Sequence, residues 1–394
     1  MNTAALAFAR SSARPRRFAF DSILLLTVGA LLLLGLVMMT SASISIADRQ
    51  VQEPLHFLER QMVGVMLGLF SAAVAMVIPT TVWERLSLPL LLLAFLLLVI
   101  VLIPGIGHEV NGSRRWLRAG FLNFQASELA RVLLLTYLAS YMVRKQAELK
   151  QDLKGFLKPL AVLMGAALLL LLEPDFGAAT VIMATGLGLL FLAGVKLRHF
   201  MALVAIAASG MAVLAVTSAY RLKRLTSFLD PWADPFNSGF QLTQSLIAIG
   251  RGELFGVGLG SSVQKLFYLP EAHTDFVFAV LAEELGLAGV IVTLALFVLL
   301  TWRAFHIARM AAEAGLPFQA YFAAGFGLWV GVQTFINVGV NLGLLPTKGL
   351  TLPLMSYGAS CILVTIGWLG VLMRIHHEAS VAGRLAVPRR ERAQ

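Results

Sequence analysis

Asp275 stands beside His273 in the stretch Pro270-Glu271-Ala272-His273-Thr274-Asp275-Phe276, where a polar segment passes into an apolar run. A carboxylate so placed can take a proton from a hydroxyl, or it can cap the following helix by accepting free backbone N–H groups. Glu283 and Glu284 follow two turns later, about 12 Å along a helix. Three acids in and above one span exceed what capping requires, so the spacing predicts an outward-facing polar cavity that holds them.

Cations recur on the same side. Arg114, Arg115 and Arg118 flank Trp116 in the segment from Asn111 to Arg118, and Lys348 lies in Leu345-Pro346-Thr347-Lys348-Gly349. Arg221, Lys223, Arg224, Arg251 and Lys265 belong to one long polar connection. A guanidinium fork suits phosphate oxygens, and a tryptophan among arginines suits a sugar face or a membrane interface. Single cations here can simply pair with nearby acids; together they predict an anionic ligand that carries phosphate.

Glu128 and Arg131 sit one helical turn apart in an apolar run and share a face. Ionisable groups in hydrocarbon cost several kcal/mol, so that face points to the bundle interior or a cavity, as a neutralised structural pair or as part of a site. Gln333, Asn337 and Asn341 form a polar stripe that reads as helix–helix glue. The glycines between Gly250 and Gly260 lack the GK[ST] ending of a phosphate loop and read as a tightly turned connection. No Walker motif and no zinc spacing occurs, which disfavours an ATP-driven pump.

The elements that position these residues follow from composition. Of 394 residues, 58% are hydrophobic and only 13% charged, about half the charged share of a soluble domain. This excludes a soluble enzyme, a disordered regulator and a small secreted scaffold. The apolar residues form runs of about twenty, the length that crosses a ~30 Å hydrocarbon layer. Ten spans are expected, at about 20–40, 61–79, 86–104, 126–143, 157–172, 177–195, 199–217, 276–301, 317–345 and 353–374. The fold class is all-α and polytopic, with one large outer loop at 218–274 and basic tails at 1–19 and 375–394. The first apolar run is too long for a cleaved signal and reads as a retained anchor. Lys and Arg concentrate on the side of the two termini, which the positive-inside rule makes cytoplasmic. The net charge of +10 reflects that topology, and no nucleic-acid partner is implied. Cys361, alone of its kind, allows no intrachain disulfide.

Several stretches resemble the SEDS family (shape, elongation, division, sporulation). They are Asn111–Arg118 with Gln125-Ala126-Ser127-Glu128, then Tyr268-Leu269-Pro270-Glu271-Ala272-His273-Thr274-Asp275-Phe276, and Leu345-Pro346-Thr347-Lys348-Gly349-Leu350-Thr351-Leu352-Pro353. Glu173-Pro174-Asp175-Phe176-Gly177 and Asp230-Pro231-Trp232 match as well, and Gly250-Arg251-Gly252-Glu253-Leu254 with the basic N-tail resembles the division branch more than the elongation branch. The resemblance covers all ten spans. It implies a peptidoglycan glycosyltransferase that polymerises lipid II at the periplasmic face of the bacterial inner membrane during septal synthesis. Asp275 is then the catalytic carboxylate. Arg114, Arg115, Glu128, Arg131, Lys348 and Ser356 form the substrate-binding set. The implied partners are a class B penicillin-binding protein, a transpeptidase of the FtsI type, and division proteins of the FtsQ, FtsL and FtsB type. One departure stands out: the family pattern Ser-Tyr-Gly-Gly-Ser reads Ser356-Tyr357-Gly358-Ala359-Ser360 here, and an alanine would be strained if that position needs a positive φ.

The implied chemistry is attack of a sugar hydroxyl on an anomeric carbon that bears a lipid diphosphate. A diphosphate leaves as an anion and needs no proton, so one base and several cations suffice. A divalent cation could take the place of some of them, and no other cofactor is called for. Two other readings use the same residues: a lipid II flippase, and a non-enzymatic platform for the transpeptidase. A flippase needs polar groups that continue to the far side, whereas the ionisable residues crowd the outer half.

Overall fold

A computed structural model describes residues 18–386 apart from 111–112, 120–121, 197, 199, 203, 206–208, 211–212, 214–227 and 348. Its helices follow the apolar runs. They are α1 (Ser22–Val51), α2 (His56–Val77), the short α3 (Thr80–Arg85), α4 (Ser87–Leu102), α5 (Ala126–Arg144), the short α6 (Gln146–Gln151), α7 (Leu153–Leu172), α8 (Phe176–Leu192), α9 (Phe240–Arg251), α10 (Val277–Glu313), α11 (Pro317–Asn341) and α12 (Ala359–Ala386). Seven of them, α1, α2, α5, α7, α10, α11 and α12, are long and apolar enough to cross a membrane, and α4 and α8 are shorter apolar helices in expected spans. The expected span at 199–217 lies mostly outside the described residues, as do the N-tail cations, Arg221, Lys223, Arg224 and Lys348.

Local chemistry sets several ends. Asp21 caps α1 by accepting from the Leu24 N–H at 3.1 Å, and its other oxygen accepts from Arg303 Nε on α10 at 2.5 Å. Asp175 caps α8 through the Ala178 N–H at 3.0 Å. Pro317 opens α11, where the missing N–H costs nothing. Hydropathy underestimates several helices, because α1 continues to Val51, α10 to Glu313 and α12 to Ala386, past the apolar stretch that reveals them.

The centre is held by close helix contacts and stacked aromatics. Helices α2 and α12 approach through Gly64, Gly68, Gly367 and Gly370; a methyl on Gly370 would meet the Ala72 carbonyl oxygen at 2.5 Å. Such small-residue seams drive helix association where lipid offers no hydrophobic gain. Trp329 of α11 stacks on Trp368 of α12 with ring centres 5.1 Å apart, and Phe326 meets the same indole edge-on.

Two features interrupt this helical frame. The connection after α4 is a three-stranded antiparallel sheet, β1 (Gly107–Val110), β2 (Ser113–Ala119) and β3 (Leu122–Gln125), in the order β1-β2-β3 with Trp116 opposite Gln125. Helix α10 is interrupted at Gly286, whose φ of 64° and ψ of −165° are open to glycine alone. A methyl there would lie 2.3 Å from the Gly256 nitrogen. The nine residues Val277–Leu285 are thus a separate half-helix, deeply buried, and the spanning helix begins after the break.

Candidate functional site

Four connections meet over one end of the bundle: the sheet, the Glu173-Pro174-Asp175 corner, the segment that leads into α10 and the loop from Leu342 to Gly358. Between them lies a cavity of about 520 Å³. Asp275 lines it, half-buried, with Arg60, Arg115, Trp116, His273 and Tyr357. This is the end at which α1, α4 and α10 change direction toward the polar connections, here called the cavity face.

Asp275 is held by its main chain. Asn337 Nδ2 on α11 donates to the Asp275 carbonyl at 2.9 Å and to Leu350 O at 2.6 Å, and Asn341 Nδ2 donates to the same Asp275 carbonyl at 3.2 Å. Gln333, one turn below, donates to Thr351 O at 2.8 Å. The polar stripe of α11 is therefore glue, but between the helix and the two loops that form the cavity floor. Helix α10 is capped by Phe276 with no side-chain bond at that position, so Asp275 is not its N-cap. Gly349 lets the carboxylate sit against the chain: a methyl there would come 2.9 Å from Asp275 Oδ2.

The opposite wall belongs to the sheet. Arg115 leaves β2 and donates from Nη2 to Pro174 O at 2.6 Å and from Nε to Glu173 O at 3.4 Å, with Asp175 Oδ2 4.0 Å away. Gln125 Nε2 donates to the same Asp175 oxygen at 3.3 Å. The neighbouring Arg114 points elsewhere and pairs with Glu109 across the strands at 3.2 Å, in the open. Alternation along a strand separates the two arginines, so one of the pair expected in the site is not in it. Trp116 lines the cavity, as the sugar-face reading requires.

Glu128 and Arg131 form a buried ion pair beneath this floor. Arg131 Nη1 also donates to Gln333 Oε1 at 2.7 Å, and its guanidinium lies 4.6 Å from the Trp329 ring centre. Neither lines the cavity. Ser356 is buried too, and its Oγ accepts from the Leu352 N–H at 2.8 Å, which shapes the loop rather than facing a ligand. Lys348 lies outside the described residues. Ala359 begins α12 with an ordinary φ, and its Cα lies 2.9 Å from where Gly64 would carry a methyl, so the extra carbon is accommodated by a glycine on the facing helix.

The expectation that Glu283 and Glu284 join Asp275 is corrected. Both are fully buried on the far side of the half-helix and hold the loop before it. Glu283 accepts from Ser262 Oγ at 2.5 Å, the Val263 N–H at 3.1 Å and Arg251 Nη1 at 3.3 Å. Glu284 accepts from Lys265 Nζ at 2.7 Å and Ser41 Oγ at 2.8 Å. Arg251 and Lys265 are thereby accounted for as partners of acids.

Residues that hydropathy hid also appear. Arg60 and Gln61 occupy the first turns of α2, ahead of its apolar stretch. Arg60 lies against the Tyr357 hydroxyl, and Gln61 clamps the loop by donating to Ser356 O and accepting from the Gly358 N–H, both at 3.0 Å. His273 packs between Phe57 and Tyr357, and burial lowers its pKa against the opposing pull of Glu271. Among the described residues no three of His, Cys, Asp and Glu come together as a metal site, and the residues around Asp275 do not form one.

A bundle of membrane-crossing helices with a single-ended polar cavity, floored by loops and walled by a small sheet, defines a polytopic membrane protein built around one site near one surface. Its family model, described as a cell cycle protein of the FtsW, RodA and SpoVE type, matches residues 21–381. The chain belongs to that family. It is 59% identical over 369 residues to the probable peptidoglycan glycosyltransferase FtsW of Thioalkalivibrio sulfidiphilus, covering 94% of this chain and 92% of that one. To the protein of the same name from Coxiella burnetii it is 54% identical, covering 92% of this chain and 97% of the relative. Among solved structures, it matches a chain reported for the structural coordination of polymerization and crosslinking by a peptidoglycan synthase complex, with TM-score 0.75, 32% identity and coverage of 92% and 98%. The rod shape determining protein RodA of Thermus thermophilus matches with TM-score 0.69, 31% identity and coverage of 92% and 99%.

Proposed function

We propose that this chain is a peptidoglycan glycosyltransferase of cell division that polymerises lipid II with Asp275 as its catalytic carboxylate. The observation that carries the reading is Asp275 itself, half-buried in a cavity whose walls bring Arg60, Arg115 and Trp116 together. The cavity face is the periplasmic one, both termini are cytoplasmic, and the membrane is the bacterial inner membrane at the septum. The transpeptidase partner is a class B penicillin-binding protein.

In this mechanism a sugar hydroxyl of one lipid-linked glycan sits against Asp275, which accepts its proton as the oxygen attacks the anomeric carbon of the second. The carbon–oxygen bond to the diphosphate breaks, and the diphosphate leaves with the electron pair. Arg60 and Arg115 stabilise the charge that develops on it, and Trp116 and Tyr357 offer flat faces to the sugar. The loops hold the acid in place before substrate arrives, so the barrier is lowered by positioning and fixed charge as well as by the proton transfer. Glu128 and Arg131 act from below by holding Gln333 and, through it, Thr351.

The flippase reading requires polar groups through the bundle. Below Arg131 the centre is filled instead by Trp329, Trp368, Phe326 and Phe322, all buried, which favours chemistry at one face. The test is lipid II polymerisation by purified Asp275→Asn protein with its transpeptidase partner. Activity should fall by about 10²–10⁴-fold with the melting temperature unchanged. Wild-type rates from a folded variant would end the assignment.

A further inference from the structure

A second cavity lies apart from the one that holds Asp275. A groove of about 790 Å³ opens sideways between α1, the start of α2 and the loop from Leu259 to Leu266. Its outer lip is apolar and uncovered: Val37, Ile44, Leu259 and Leu266 are each 40–59% exposed. Its inner edge carries hydroxyls, among them Ser41, Ser45 and Ser261.

Position along α1 says what faces it. Val37, Ser41, Ser45 and Arg49 lie at intervals of four and climb one face of the helix. Twelve residues at 1.5 Å rise cover about 18 Å, against about 15 Å for the hydrocarbon of one leaflet. The α1 lining of the groove ends at Ser45, and Arg49 stands one turn beyond it toward the cavity face, exposed, with its guanidinium 4.7 Å from the Phe267 ring centre. Backbone that is neither helix nor closed sheet is tolerated at such depth only when its polar groups are satisfied by protein. Protein groups satisfy much of this loop: Val257 and Gly258 donate to the carbonyls of Glu283 and Glu284 at 3.0 and 3.1 Å, and the Val263 N–H donates to the Glu283 carboxylate.

We infer that the groove is a binding site for an anionic phospholipid of the surrounding leaflet, with one acyl chain along Val37, Ile44, Leu259 and Leu266 and the phosphodiester at Arg49. One exposed guanidinium matches the single charge of a phosphodiester. A diphosphate calls for a cluster of cations, and that cluster, Arg60 and Arg115, belongs to the other cavity. Because Lys265 and Ser41 at the groove's inner edge both bond to Glu284, the lipid bears on the half-helix that follows Asp275.

The test places the full-length protein in phosphatidylcholine nanodiscs that contain phosphatidylglycerol with a photoactivatable acyl chain. After irradiation, label should concentrate on residues 37–45 and 259–266, and unlabelled phosphatidylglycerol should compete better than phosphatidylcholine. Ser45→Trp should abolish the label by filling the groove. Arg49→Gln, a surface change that leaves folding intact, should reduce it by roughly fivefold, the worth of one surface cation toward an anionic lipid. Even labelling of other lipid-facing sites, such as Leu92 and Leu96 on α4, would overturn the site. So would competition by a polyprenyl diphosphate alone. Label that vanishes when a class B transpeptidase is bound would assign the groove to a partner helix and overturn the lipid as its occupant.

Discussion

Asp275 and the Glu283–Glu284 pair lie within ten residues of one another, yet they inhabit opposite chemical worlds. The aspartate is half-buried at the edge of a cavity, with its carbonyl held by two asparagines. The glutamates are fully buried, and each is saturated by a cation, hydroxyls and backbone N–H groups. A carboxylate sealed inside the fold meets only protein, whereas one that lines a cavity is also within reach of a ligand. Proximity in sequence to a catalytic candidate says nothing about which of these a residue is.

Mutation should split the two regions along different readouts. Asp275→Asn should cost activity by two to four orders of magnitude and leave stability untouched. Glu284→Ala should do the reverse. It strands the Lys265 ammonium in a buried site, an effect worth about 3–5 kcal/mol, so the melting temperature should fall sharply while surviving molecules retain turnover per folded protein. Equal losses of activity and stability in both variants would dissolve the distinction.

A finer division runs between neighbouring arginines. Arg115 faces the cavity and ties the Glu173-Pro174-Asp175 corner, and Arg114 makes an exposed pair with Glu109. Arg115→Ala should lower kcat/KM by about 10- to 100-fold, the range for losing a charged hydrogen bond. Arg114→Ala, which removes a surface ion pair worth at most about 1 kcal/mol, should stay within a few-fold of wild type. Comparable losses would move the anion wall off the inward side of β2.

These contrasts mark how far the amino-acid sequence could be read. Hydropathy disclosed the long apolar helices, because apolar runs of bilayer length have few other uses. It could not show that the segment from Gly107 to Gln125 pairs into a sheet, since its strands are short and rich in charge. Nor could it separate Arg114 from Arg115, which differ only by strand alternation. Arg60 was invisible because it precedes the apolar stretch of α2. Glu283 and Glu284 were misplaced because a count of acids along a span does not say which side each faces: the half-helix carries both to its far side, where Ser41, Arg251, Ser262 and Lys265 take up the carboxylates.

A further contrast sits in the corner that Arg115 ties down. Glu173 is buried, and neither carboxylate oxygen has a hydrogen-bond partner in the structure. Burial, reinforced by Asp175 and opposed by Arg115, pushes its pKa up to about 8. The folded protein therefore holds a proton there at neutral pH that the unfolded chain, with its ordinary carboxyl, has released. Folding is favoured fully below about pH 4, and that contribution declines as pH rises toward 8. Glu173→Gln keeps the shape and removes the titration, so its melting temperature should be flat where that of the wild type declines. The two curves should part by several degrees between pH 5 and 8, as expected for about 3 kcal/mol of linked stability. A neutral Glu173 also leaves the charge of Arg115 offset by Asp175 alone, so the variant should keep its affinity for an anionic ligand above pH 8, where the wild type weakens. Parallel melting curves would mean that Glu173 is ionised in the fold, and the cation wall would then carry one more negative charge behind it than the geometry requires.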